Sequence, residues 1–303
     1  MPGGRPGWRL PRNVTSVDGG LIVLPEAEWR PRAAAHRDRM RRFTAPHRER
    51  RQRGEAHPVL DFLFTYYSYR PARLEEWHPG PGVVLLGGVE YLERPGYAPS
   101  DEPGGVRLDP AALPRLVPTA RFVHTLLTAT AARVPRLSCF GLHEWAMVYR
   151  SGAPRHAAVP LRLGAAGTDA VVESLPVHCT HHDAFRFFTS AARSRNAVAP
   201  GRTDQVEFEQ PGCLHATMDL YKWAYKLAPA TPSDLTATCF ELAAEVREMD
   251  MRASPYDLVA LGYSPVPIET PVGRAAYVRA QAAFAQRAAP LRARLVDLCA
   301  ALL

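Results

Sequence analysis

One segment of the chain carries a row of ionisable side chains at helical spacing. This segment, EQPGCLHATMDLYKWAYKL, starts at Glu209, and its pattern predicts a helix from about Cys213. Four polar residues fall at i, i+4, i+7 and i+11 on one face of that helix: His215, Asp219, Lys222 and Lys226. Apolar and aromatic residues cover most of the rest. The stripe therefore indicates either a solvated face or a functional site with a base or ligand, a carboxylate and two amines.

The two lysines of this stripe are the only ones in the chain. Lys and Arg together number 37, and all except Lys222 and Lys226 are arginine. Lysine suits a general base or a Schiff-base nucleophile because its pKa falls on burial, which arginine cannot match. The alternative is structural: Lys222 would pair with Asp219 three residues before it, and Lys226 would suit the helix C-terminus.

Histidines recur in the apolar stretches and could bind a metal. Two or three histidines with one carboxylate would hold zinc or non-haem iron, and the candidate ligands are His57, His143, His181 and His215. Their spacing matches no recognised metal signature. In HEWAM, for example, Met147 stands where an HExxH motif needs its second histidine. The alternative is that each histidine is an ordinary hydrogen-bonding residue of the core.

Aromatic residues near these polar groups could form a pocket for a flat ligand. Such a pocket with one carboxylate is what binding a flipped or modified base requires. Asp219 or Asp183 would supply the carboxylate. The candidate substrate contacts are Tyr66, Tyr67, Trp145, Tyr221 and Arg186. An aromatic core is the ordinary alternative.

A basic segment at residues 26–53 could contact nucleic acid. The chain has a net charge of +7 and a pI near 9.4, and this segment contains few acids. It has helical tendency, which Pro31 and Pro46 are expected to interrupt. The candidate phosphate contacts are Arg37, Arg41, Arg42, Arg48 and Arg51. The alternative is a solvated face in an arginine-rich chain.

Composition predicts an ordinary globular protein. The chain has 303 residues, of which 47% are apolar. No run of 18 apolar residues predicts a membrane span, and the N-terminus does not resemble a secretory signal. Five cysteines without a CxxC pair predict neither a disulfide framework nor a zinc ribbon, so we expect a reducing cytoplasm.

Periodicity predicts a mainly-α fold. We count six to eight helical segments, few strand signals, no repeat and no clean linker. The expected organisation is a flexible lead over residues 1–25 and one mainly-α domain over residues 26–303 with a few short β pieces. No GxSxG, P-loop or GxGxxG motif is present, so a phosphate-binding nucleotide enzyme is not expected.

Five segments together resemble a protein family. The segments cover residues 54–71, 139–150, 181–188, 209–227 and 249–263. They are similar to a family of actinobacterial proteins of comparable length that is commonly labelled 3-methyladenine DNA glycosylase, and the resemblance extends from about residue 25 onward. It implies excision of an alkylated base by cleavage of its N-glycosidic bond. The chain lacks a helix-hairpin-helix motif followed by a catalytic Asp, and it lacks a HEAT-like repeat. No catalytic residue is therefore carried over.

Three hypotheses follow. The first is a glycosylase-like hydrolase with DNA as partner and no cofactor, in which Asp219 or Asp183 is the carboxylate, His215 assists and Lys222 positions or traps the sugar. The second is a metal-dependent enzyme with iron or zinc that acts on a small molecule, as in specialised metabolism. The third is a non-catalytic helical binding protein. No membrane partner is expected, and the sequence predicts no oligomeric state.

Overall fold

Helices account for most of the computed structural model, which describes residues 15–17, 20–152 and 159–303. The α-helices in these residues are α1 (Glu26–Gln52), α2 (Phe62–Tyr66), α3 (Pro71–Leu74), α4 (Val117–Ala131), α5 (Leu142–Ala146), α6 (Gly164–Ser174), α7 (His182–Phe185), α8 (Ser190–Arg193), α9 (Gln205–Phe208), α10 (Leu214–Lys226), α11 (Ser233–Arg252) and α12 (Pro271–Leu302). Short 3-10 turns lie at Val89–Glu93, Leu113–Leu116 and Val259–Leu261. The prediction of a single mainly-α domain is confirmed.

A small sheet packs beside the helices. Its strands are β1 (Thr15–Val17), β2 (Leu21–Leu24), β3 (Val83–Leu86), β4 (Tyr97–Pro99) and β5 (Gly105–Leu108), in the order β1-β2-β3-β5-β4. Strands β2 and β3 pair in parallel, and the other pairs are antiparallel. Strand β2 belongs to the segment predicted as a flexible lead, so the folded part of the chain begins before residue 26. The rest of that lead lies largely outside the described residues.

Helix α1 corrects one prediction. It runs without a break from Glu26 to Gln52 although it contains Pro31 and Pro46. Each proline removes one backbone hydrogen bond and crowds the preceding turn. The helix is held by packing instead, because a stripe of its side chains is buried against the rest of the protein: Trp29, His36, Met40, Thr44 and His47. Tertiary packing has overridden the local preference.

The main core surrounds α10. This helix packs against α11 and α12, and α4 packs against α12. Ten of the thirteen residues of α10 are buried, so the helix is enclosed on almost all sides. The polar residues that α10 carries are therefore placed inside the protein. None of the helices in the described parts of the chain is long and apolar enough to cross a membrane.

Candidate metal centre

The start of α10 is fixed by a close backbone approach. A Cβ atom on Gly212 would lie 2.7 Å from the carbonyl oxygen of Arg136, so only glycine fits there. The amide of Gly212 donates to Oε1 of Gln210 at 2.7 Å, and that same oxygen accepts from the amide of Arg136 at 2.8 Å. The predicted helix then runs from Leu214 to Lys226. This anchored start positions His215 one residue into the helix.

One group of possible metal ligands joins three helices. His143 lies on α5, His215 on α10 and Asp250 on α11, and their ligand atoms lie within 4.8 Å of one another. Nε2 of His143 is 2.9 Å from Oδ1 of Asp250, so the two side chains form a close ion pair. Two ligands about 2.1 Å from one ion lie about 3.0 Å apart at a right angle. The 2.9 Å separation is compatible with two neighbouring ligands of one ion as well as with an ion pair.

Two of the three side chains in this triad have the charge state that ligates a metal. Burial and the neighbouring His143 lower the pKa of His215 well below its usual value, so its ring is neutral. Burial opposes the charge of Asp250, but His143 and Arg247 outweigh it and lower the pKa of that carboxyl. Neutral imidazole and ionised carboxylate are the forms that ligate. Burial likewise opposes a charge on His143, but Asp250 raises the pKa of His143, so a metal would displace a proton there.

A buried arginine, Arg247, contacts the carboxylate of Asp250. Nη1 of Arg247 lies 3.5 Å from Oδ2 of Asp250 and donates to Oε1 of Glu144 at 2.9 Å. The guanidinium also lies over the ring of Phe62, 3.8 Å from its centroid. Arg247 is almost fully buried. Arg247 therefore orients the carboxylate of Asp250 but is not itself a ligand. Residues that contact the ligands of metal sites commonly have this role.

A second group lies beside the first. It consists of His181, just before α7, Glu209, just after α9, and Asp219 on α10, with ligand atoms again within 4.8 Å of one another. Nε2 of His181 is 3.4 Å from Oε1 of Glu209 and 3.5 Å from Oδ2 of Asp219. The ring of His181 stacks on that of His215 with centroids 5.2 Å apart. The two triads are therefore neighbours in one buried cluster.

A polar chain leads from Asp219 towards the surface. Oδ1 of Asp219 accepts a hydrogen bond from the hydroxyl of Tyr67 at 2.8 Å. Lys222 donates to Oδ2 of Asp219 at 2.9 Å and to Oδ2 of Asp183 at 3.0 Å. Burial opposes the charge of Lys222, but the two carboxylates outweigh it and raise its pKa. Lys222 is thus a charged ammonium ion paired with two carboxylates. This favours the structural interpretation of Lys222 as an ion-pair partner over its interpretation as a neutral amine nucleophile. Arg186 contacts the other oxygen of Asp183 at 3.2 Å.

A cavity of about 450 Å³ reaches one member of the first triad. His215 forms part of its wall. The other lining residues combine aromatic or apolar groups with charged ones: Phe62, Thr65, Tyr66, Met147, Phe187, Glu144, Asp183, Arg186 and Arg247. A pocket of this size and composition suits a small molecule.

The predicted ligand set needs one correction. The structure brings His143, His181 and His215 together, but it does not place His57 with them. Nδ1 of His57 accepts hydrogen bonds from the amides of Val59 and Leu60 at 3.2 and 3.1 Å, so the ring caps the turn that follows Pro58. A histidine that is used by its own backbone is not free to ligate. Sequence spacing could not distinguish this local role from a long-range one.

Most residues of the predicted aromatic pocket belong to the hydrophobic core. Only Tyr66 and Arg186 of the five predicted contacts line the cavity. Trp145 is fully buried and its Nε1 donates to the carbonyl of Ala253 at 2.8 Å. Tyr221 is also fully buried, and its ring packs edge-on against that of Tyr67. The aromatic residues of α10 and its neighbours face inward because α10 is enclosed.

The predicted basic patch on α1 is mostly engaged with carboxylates. Arg41 and Arg48 both contact Glu75, at 3.6 and 2.6 Å, and Arg42 contacts Glu241 at 3.1 Å. Arg37 and Arg51 have no ion pair within the described residues. The patch therefore presents less unpaired charge than the sequence indicates. DNA contact stays a prediction.

Sequence reasoning did not assign three residues that the structure places in the cluster. Asp250 and Arg247 lie on the buried face of α11, among apolar core positions. A charged residue on an apolar stripe needs a partner, so the sequence did contain a sign that these two residues are special. Glu209 lies just before the Gly212 turn and is almost fully buried. No periodicity marks it, because it follows the short helix α9.

Comparison with known proteins finds no match: no family model, no curated protein and no solved structure is detectably similar to this chain. The resemblance to the glycosylase-labelled family therefore stays a prediction. The case for function rests on the site itself.

Proposed function

We propose that the protein is a metal-dependent enzyme that acts on a small molecule bound in the cavity beside His215. One observation carries this proposal: His143, His215 and Asp250 converge from three helices in a buried triad whose ligand atoms lie within 4.8 Å of one another. Two histidines and one carboxylate form the facial triad of non-haem iron enzymes, which leaves positions open for substrate.

The residues around the triad have separable roles in this proposal. His143, His215 and Asp250 would hold the ion, and Arg247 would orient Asp250. Bound iron would supply oxidation chemistry with dioxygen, as facial-triad enzymes do.

The substrate would lie against the aromatic side of the cavity. Phe62, Tyr66 and Phe187 offer flat apolar surface, and Arg186 is half-exposed beside them. Such a wall favours a small molecule with a planar or apolar body. Arg186 contacts Asp183 through Nε but is half-exposed, so its terminal nitrogens would bind an acidic group of the substrate. Arg247 is already committed to Glu144 and Asp250, so it is not available for that role.

Metal analysis of untagged protein purified without chelator tests the proposal. We expect bound iron that is lost in His143→Ala and in Asp250→Asn. His57→Ala is the matched control, because His57 lies outside both triads and its variant should keep the metal. Native protein without a transition metal, or a His57→Ala variant that loses as much as His143→Ala, would contradict the proposal. Zinc in place of iron would keep the site but change the reaction class to hydrolysis.

The glycosylase hypothesis retains one supporting observation. Asp183 lines the cavity beside Tyr66, so it is a carboxylate that a flipped base could reach, whereas Asp219 is buried and already bound by Tyr67 and Lys222. A glycosylase should bind duplex DNA at low salt and release a base from alkylated DNA. Base release that is abolished in Asp183→Asn but retained in His143→Ala would favour this hypothesis over the metalloenzyme.

A further inference from the structure

The second triad has the features of a metal site in its own right. His181 is 1% exposed, and neither of its ring nitrogens makes a well-aligned hydrogen bond to any residue that the structure describes. A buried neutral imidazole has one donor and one acceptor to satisfy, and leaving either of them unmet is destabilising. Such a ring needs an explanation. An ion beside Nε2 would supply one.

The distances around His181 agree with shared coordination. Ligands about 2.1 Å from one ion lie about 3.4 Å apart at the tetrahedral angle. Nε2 of His181 is 3.4 Å from Oε1 of Glu209 and 3.5 Å from Oδ2 of Asp219. These separations are too long for hydrogen bonds of normal strength, but they are the right length for neighbouring ligands.

The two carboxylates are held in place by groups outside the triad. Gln205 donates to Oε1 of Glu209 at 2.6 Å, and Arg133 donates to its backbone carbonyl at 2.7 Å. Asp219 accepts from Tyr67 and Lys222. A carboxylate oxygen has two lone pairs, so it can accept such a bond and still ligate. Outer-shell partners of this kind orient metal-binding carboxylates.

We infer that His181, Glu209 and Asp219 bind a second divalent transition-metal ion, so that the cluster is a two-metal centre. The stacked rings of His181 and His215 form the shared wall between the two sites. The two separations from His181 agree with tetrahedral ligation, which is the geometry of zinc in most of its protein sites. The claim of two metal ions rests on the proposed function, because it needs the first site as well. The second site can be tested by itself.

Metal stoichiometry in four variants tests the inference. Purified apoprotein is loaded with Fe²⁺ or Zn²⁺ under anaerobic conditions, desalted and measured by mass spectrometry. We expect two equivalents in the wild type and one in each of His143→Ala, His181→Ala and Glu209→Gln. His182→Ala is the control, because His182 is next in sequence but its Nδ1 is engaged with the carbonyl of Pro200 at 3.1 Å, and it should keep both equivalents. Glu209→Gln preserves side-chain volume, so it reports on the site if His181→Ala fails to fold.

The possible outcomes separate the two proposals. One equivalent that is lost in His143→Ala but kept in Glu209→Gln overturns the second site and leaves the first. One equivalent with the opposite pattern supports the second site and overturns the first. One equivalent that is lost in both variants means a single ion shared by all the residues, and it overturns the two-metal inference. No bound metal overturns both.

Discussion

Replacing Lys222 with methionine should strongly destabilise the metal-free protein. Lys222 donates to Asp219 and Asp183 at 2.9 and 3.0 Å. At this range and an effective dielectric constant of about 20, each contact is worth about 5 kcal/mol before desolvation is subtracted. Removing one partner of a buried ion pair costs about 3–5 kcal/mol. Because Lys222 and Asp183 expose 16% and 24% of their side chains, we expect the lower end, about 3 kcal/mol.

Urea denaturation at pH 7 with chelator present measures this loss. Lys226→Met is the matched control, because Lys226 lies one turn further along α10 and is exposed, so its variant should stay within about 0.5 kcal/mol of the wild type. Lys222→Arg keeps the charge and should recover part of the loss. The ion-pair interpretation is refuted if Lys222→Met unfolds with a free energy within 1 kcal/mol of that of the Lys226→Met variant.

Three further predictions address the fold. Burial and then Arg94 lower the pKa of His78 to about 3. The unfolded chain therefore takes up a proton below pH 6.5 that the folded chain does not, and stability falls by about 1.4 kcal/mol per pH unit. Between pH 7 and 4.5 the wild type should lose about 2.5 kcal/mol more than His78→Gln, and equal losses in urea titrations would contradict this. In Gly273→Ala the new Cβ would lie 1.9 Å from the carbonyl oxygen of Pro267, so calorimetry should show a loss of about 2–3 kcal/mol. Tyr67→Phe removes a donor to a buried carboxylate and should cost about 1.5–3 kcal/mol by urea denaturation, whereas no change would mean that water replaces the hydroxyl.

The sequence predicted the elements that have strong periodicity. The helix from Leu214 to Lys226 follows from the helical spacing of its polar and apolar residues. The continuity of α1 through Pro31 and Pro46 did not follow, because local propensity penalises proline, whereas burial of one face of α1 decides the outcome.

The candidate site was predicted in part. The structure brings together His143, His181 and His215 of the predicted ligand set, and it places His57 elsewhere. The difference is that the Pro58 turn satisfies His57 locally, whereas the other three rings meet residues from distant segments. Asp250 lies 107 positions from His143 along the chain, so only the packing of α11 against α10 reveals the triad.

The confinement of lysine to α10 has a practical consequence. Lys222 and Lys226 are the only side chains that an amine-directed reagent or a lysine-specific protease can attack, and Lys222 is mostly buried behind Asp183. Cleavage at Lys226 therefore reports fraying of the helix end. Cleavage or acylation at Lys222 reports that α10 itself has separated from the cluster. The extent of modification at Lys222, measured by mass spectrometry, therefore reports how often the buried cluster opens. No engineered label is needed.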